Sequence, residues 1–105
     1  MKRKILIVED NVGLSQIQKD WLSRAGYDAV TAMSEPIARS LIRRMQFDLI
    51  LSDVRLPEGN GISLLEWLRK EKKDIPFIIT TEYVSVPDVV RTIKLGARDY
   101  LPKPV

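Results

Sequence analysis

Three short apolar runs, each closed by polar residues and each followed by a helical pattern, restrict the possible folds of this chain more than any other feature. Ile5-Leu6-Ile7-Val8 is continuous rather than alternating and mostly β-branched, as a strand buried on both faces requires. Phe47-Asp48-Leu49-Ile50-Leu51-Ser52 and Pro76-Phe77-Ile78-Ile79-Thr80 repeat the pattern. Asp28 to Thr31 and Ala97 to Leu101 are shorter strand candidates. Between them lie segments of helical spacing. After the first run, Val12, Leu14, Ile17, Trp21 and Leu22 recur along a helix that Gly26 is placed to end. Ser34-Glu35-Pro36 opens a second helix running to about Met45, with serine as cap and proline in the first turn. A third carries Ile62, Leu64, Leu65, Trp67 and Leu68, and a fourth spans about Val86 to Leu95 before Gly96. The segment from Leu56 to Gly61 reads as a loop, and both tryptophans read as core.

Five strands alternating with four helices predict a doubly wound α/β domain with a five-stranded parallel sheet and right-handed crossovers. With 105 residues there is room for one core, since a chain this short hides only roughly 65% of its unfolded surface. No apolar run approaches the ~20 residues of a spanning helix, so the expected location is the cytoplasm, with no membrane partner.

Two missing residue types narrow the chemistry. The chain has no cysteine, which removes disulfides and thiolate catalysis, and no histidine, which removes serine-histidine triads and His-based zinc motifs. Carboxylates, hydroxyls, lysine or a metal must carry any reaction. The net charge of +3 invites a nucleic-acid reading, with Arg39, Arg43 and Arg44 on one segment and Arg69, Lys70, Lys72 and Lys73 on another. Acidic residues within or beside both segments favour solvated helix faces and no direct nucleic-acid binding by this domain.

In a parallel sheet, residues just past the strand ends share one rim, where ligands bind. That rim receives Glu9 and Asp10 after the first strand, Asp53 after the third, Thr80 and Thr81 at the end of the fourth, and Lys103 after the fifth. Three carboxylates about 5 Å apart would repel by about 3 kcal/mol per pair at an effective dielectric of ~20. A cation belongs among them, and magnesium suits one or two carboxylates plus water. A carboxylate surrounded by a cation, an ammonium and a hydroxyl suits phosphoryl transfer, whose transition state chiefly needs its oxygens' charge stabilised.

Over its whole length the chain resembles the receiver domains of two-component response regulators. The resemblance rests on Ile7-Val8-Glu9-Asp10-Asn11, Leu51 to Pro57 with Gly59 and Gly61, Thr81, and Lys94 to Pro104; that last stretch resembles receivers of enhancer-dependent transcription activators. It implies a flavodoxin-like fold of strand order 2-1-3-4-5. It also implies that Asp53 accepts a phosphoryl group from a sensor histidine kinase or phosphotransfer protein. Magnesium would be held by Glu9, Asp10, Asp53 and the Arg55 carbonyl. Thr81, selected over Thr80 by the family spacing, and Lys103 would bind the phosphoryl oxygens. Thr81 and Tyr100 would form the conformational switch, and the Lys103–Pro104 peptide would be cis.

Two departures from the family stand out. Glu82 occupies a position usually held by a small residue, and with Arg55 and Tyr83 it is expected to modulate access to Asp53. The sequence also ends before the family's fifth helix, which suggests a receiver spanning residues 1–105 cut from a longer chain, or one completed by self-association. The expected function is a phosphorylation switch controlling transcription, not a turnover enzyme. A receiver-like interaction module that is never phosphorylated is one alternative. A magnesium-dependent phosphatase is another, although Arg55 stands where a second aspartate would be needed.

Overall fold

A computed structural model describes residues 2–82 and 85–102. Five parallel strands form the main sheet: β1 (Lys4–Val8), β2 (Asp28–Ala32), β3 (Leu49–Asp53), β6 (Phe77–Thr81) and β7 (Asp99–Pro102). Their spatial order is β2-β1-β3-β6-β7, the expected 2-1-3-4-5 when only these five are counted. Four helices alternate with them: α1 (Val12–Arg24), α2 (Glu35–Arg44), α3 (Gly61–Lys70) and α4 (Val86–Lys94). A two-stranded antiparallel hairpin, β4 (Arg55–Leu56) with β5 (Gly59–Asn60), lies between β3 and α3, where the sequence predicted only loop.

Strand geometry sends successive side chains to opposite faces. Leu6 and Val8 of β1, Ile50 of β3, and Phe77 and Ile79 of β6 enter one cluster with Ala38 and Ile42 of α2 and Leu64, Leu65 and Leu68 of α3. Each fully buried leucine or isoleucine there contributes about 2 kcal/mol. Ile5 and Ile7 alternate with them and are buried outside that cluster, while α1 packs on β1 and β2.

The helix ends follow the sequence. The Ser34 hydroxyl accepts from the Ile37 N–H, and Pro36 lies in the first turn of α2. Gly26 and Gly96 close α1 and α4 at φ of 95° and 84°, where a side chain would be strained. The two tryptophans part company. Trp67 is half-buried, with the Arg39 and Arg43 guanidinium groups each 5.2 Å from its ring centre. Trp21 is 67% exposed, together with Val12 and Ile17, so its expected place in the core is corrected: among the described residues, nothing covers the outward apolar face of α1.

Part of the basic composition has structural work. Arg69 donates to the carbonyls of Lys73, Ile75, Leu95 and Gly96, clamping the end of α3 to the turn after α4. These bonds use a guanidinium that the sequence left as a solvated charge.

Candidate functional site: an acidic cluster at the carboxyl edge of the sheet

Glu9 follows β1 and is pinned by its own backbone, whose N–H donates to the Ala32 carbonyl at 2.9 Å. Its side chain is 2% exposed and accepts from the Asn11 N–H at 3.1 Å. Asn11, not either acid, caps α1 by accepting from the Leu14 N–H at 3.0 Å. Helix capping therefore does not account for Glu9 and Asp10.

Asp53 is the last residue of β3 rather than the first beyond it, and it is buried. Its Oδ1 accepts from the Arg55 N–H at 3.4 Å, and its carbonyl accepts from the Ser52 hydroxyl at 2.9 Å. Because β1 and β3 are neighbours, Glu9, Asp10 and Asp53 converge. One carboxylate oxygen from each lies within 4.8 Å of the others. Two of these acids are buried and Asp10 is exposed, which leaves the group open to water on one side. Carboxylate oxygens grouped this closely, with one solvent-facing side, fit a hard divalent cation that keeps part of its water shell.

Asp10, Asn11, Asp53, Arg55, Leu56, Pro57, Thr81 and Glu82 line an open cavity of about 490 Å³. Thr80 and Thr81, both near the strand end, are separated here by geometry. The Thr80 hydroxyl is turned to the Ser52 carbonyl at 3.4 Å, whereas Thr81 lines the cavity with Asp53. Glu82 and the Arg55 side chain are exposed at the mouth.

Tyr100, on β7, lies against α4 in a groove lined by Val89, Thr92 and Ile93. Its hydroxyl is enclosed and makes no full hydrogen bond among the described residues, although the Ser85 backbone and the Thr81 hydroxyl stand near it. Burial pushes the phenol above its ordinary pKa, the Asp88 carboxylate adds to the shift, and the Ser85 and Thr81 contacts oppose it. Lys103, Tyr83 and the Lys103–Pro104 peptide lie outside the described residues.

Sequence reasoning missed Glu35. It read as an acid in the first turn of a helix, yet its side chain is buried and takes hydrogen bonds from the segment that follows Asp53. Only the glycine at position 59, which leaves room for it, hinted at that contact.

The response regulator receiver domain family matches residues 5–105. The chain belongs to that family. It is 35% identical to the response regulator protein PilR of Pseudomonas aeruginosa over 99% of its own length and 23% of that protein. It is 39% identical to the transcriptional regulatory protein ZraR of Escherichia coli over 96% of its length and again 23% of the relative. The receiver thus spans about a quarter of these regulators. Among solved structures, a response regulator from Burkholderia pseudomallei with a phosphorylated aspartic acid and a calcium ion superimposes with a TM-score of 0.91. That match has 29% identity and covers 99% of this chain and 61% of that one. Receivers are signalling modules of two-component systems. No helix among the described residues is long and apolar enough to cross a membrane.

Proposed function

We propose that this receiver is a phosphorylation-dependent switch in which Asp53 is the acceptor. The observation that carries the reading is the convergence of Glu9, Asp10 and Asp53 at the carboxyl edge of the sheet, where Asp10 and Asp53 line one open cavity. A carboxylate oxygen of Asp53 attacks the phosphorus of a phosphohistidine on a sensor kinase or phosphotransfer protein. The new O–P bond forms as the N–P bond breaks, and the departing imidazole nitrogen keeps the electron pair and takes up a proton.

Glu9, Asp10, Asp53 and the Arg55 carbonyl would hold magnesium, which supplies positive charge to the phosphoryl oxygens when bound. Thr81 donates its hydroxyl to one phosphoryl oxygen, and Lys103 pairs with another. When Thr81 moves to that oxygen, it withdraws from the Tyr100 hydroxyl beside it, and Tyr100 repacks against α4. That surface change is the signal passed to an output. Transcriptional control is the output that the resemblance to PilR and ZraR supports.

Intact-mass spectrometry after incubation with acetyl phosphate and magnesium tests the reading. The wild-type chain should gain the mass of one phosphoryl group and Asp53→Ala should gain none. Equal labelling of both proteins, or no labelling of the wild type, would reject Asp53 as the acceptor.

A further inference from the structure

The most heavily hydrogen-bonded buried carboxylate outside the acidic cluster is Glu35, whose side chain is 4% exposed. Its Oε1 accepts from the Asn60 N–H at 2.9 Å. Its Oε2 accepts from the Ser63 hydroxyl at 2.9 Å and from Arg39, through Nε at 2.9 Å and through a second guanidinium nitrogen. Four donors on one carboxylate offset the cost of burying its charge. Two of them come from residues 25 and 28 positions further along the chain. Charge-assisted bonds of this kind are short and directional, so they fix position as well as contribute energy.

What they fix is the hairpin after Asp53. Asn60 is paired with Arg55 across the β4–β5 ladder, and Gly59 with Leu56. Gly59 lies so close that a Cβ there would meet Glu35 Oε1 at 2.0 Å, at a φ of +155° that disfavours any side chain. At its open end the hairpin is closed by the Gly61 N–H donating to the Val54 carbonyl at 2.8 Å, and its first residue is tied to Asp53 by the Arg55 N–H donating to Oδ1 at 3.4 Å. The hairpin is therefore held between Glu35 and Asp53, with the Arg55 main chain in the middle.

We infer that Glu35 is a positioning residue for the magnesium and phosphoryl site: through Asn60 it sets where the Arg55 backbone stands relative to Asp53. This rests on the reading of the acidic cluster as a magnesium site. Glu35 touches neither metal nor phosphoryl group and acts only through the hairpin. Outer-shell partners that orient metal ligands commonly carry about tenfold or more of metal affinity.

Magnesium titration by calorimetry on the full chain, with amide NMR on the metal-free protein, tests the inference. Glu35→Ala should bind magnesium about tenfold more weakly. It should also shift the Asp53 and Arg55 amide resonances before any metal is added, while the β1 and β6 amides stay in place. Glu35→Gln keeps an acceptor for the Asn60 N–H and should stay within about threefold of wild type. A folded Glu35→Ala protein with wild-type magnesium affinity would overturn the inference and leave Glu35 a purely structural residue. Should Glu35→Ala not fold, Ser63→Ala removes one of the bonds orienting the carboxylate. A several-fold loss of affinity there supports the role, and wild-type affinity overturns it. Asp10→Asn is the control: if it binds magnesium as well as wild type, the metal reading itself fails and the Glu35 role falls with it.

Discussion

Glu82 is the residue whose chemistry fits its surroundings least well. It stands at the mouth of a cavity already holding Asp10 and Asp53, and it is exposed. An incoming phosphoryl group is negative, and a carboxylate at the entrance repels it through space that water screens only in part. Replacing Glu82 with alanine should speed labelling by acetyl phosphate by about threefold, the scale of a screened like-charge contact. Glu82→Gln should recover most of that gain, because charge rather than bulk is the obstacle. A time course under saturating magnesium reads both variants, and unchanged rates would show that Glu82 does not guard the site.

At the scale of elements, the β3–hairpin–α3 connection is built around the absence of side chains. A Cβ on Gly61 would lie 2.2 Å from the Asp53 carbonyl oxygen and 2.9 Å from the Ser52 hydroxyl. Neither neighbour can retreat, since one is backbone of Asp53 and the other is buried and bonded to it. Gly61→Ala should therefore cost about 2 kcal/mol by overpacking. That corresponds to about 8 °C or more in melting temperature for a domain of this size. Gly13→Ala makes only ordinary contact, 3.5 Å from Asn11 Oδ1, and sits inside α1, so its melting temperature should hold or rise slightly. Equal melting temperatures for the two variants would contradict the close-approach argument.

The same connection marks the limit of what the sequence showed. The main strands were legible because a strand buried on both faces must be an unbroken apolar run, and the rim residues were legible because each ends such a run. Asp53, Thr81 and Glu9 all stood out this way. The hairpin was not legible: two-residue strands carry no periodicity, and Leu56-Pro57-Glu58-Gly59 has the composition of any turn. Glu35 was hidden because helix starts favour acids anyway, so its long-range partners left no local trace. Trp21 misled for a related reason. Helical spacing of apolar residues predicts an apolar face but not whether anything covers it.

Over the whole molecule the charge is unevenly placed. The net balance is +3, yet three carboxylates meet within 4.8 Å at one edge of the sheet. Without metal, each of these acids raises the energy of the folded state relative to an unfolded chain that separates them. Asp10 is the exposed member, so its removal costs no buried packing and mainly relieves repulsion. Asp10→Asn should raise the metal-free melting temperature by about 4 °C, the shift that roughly 1 kcal/mol produces in a domain of this length. Magnesium should then reverse the order. A cation that binds only the folded state stabilises it by mass action, so the wild-type protein should gain several degrees at saturating magnesium. The Asn variant, with one ligand carboxylate fewer, should gain little. Thermal melts of both proteins in chelator and in excess magnesium read all four values together. If Asp10→Asn melts at or below wild type in chelator, repulsion does not strain the rim. If the two proteins respond equally to magnesium, the cation is held elsewhere.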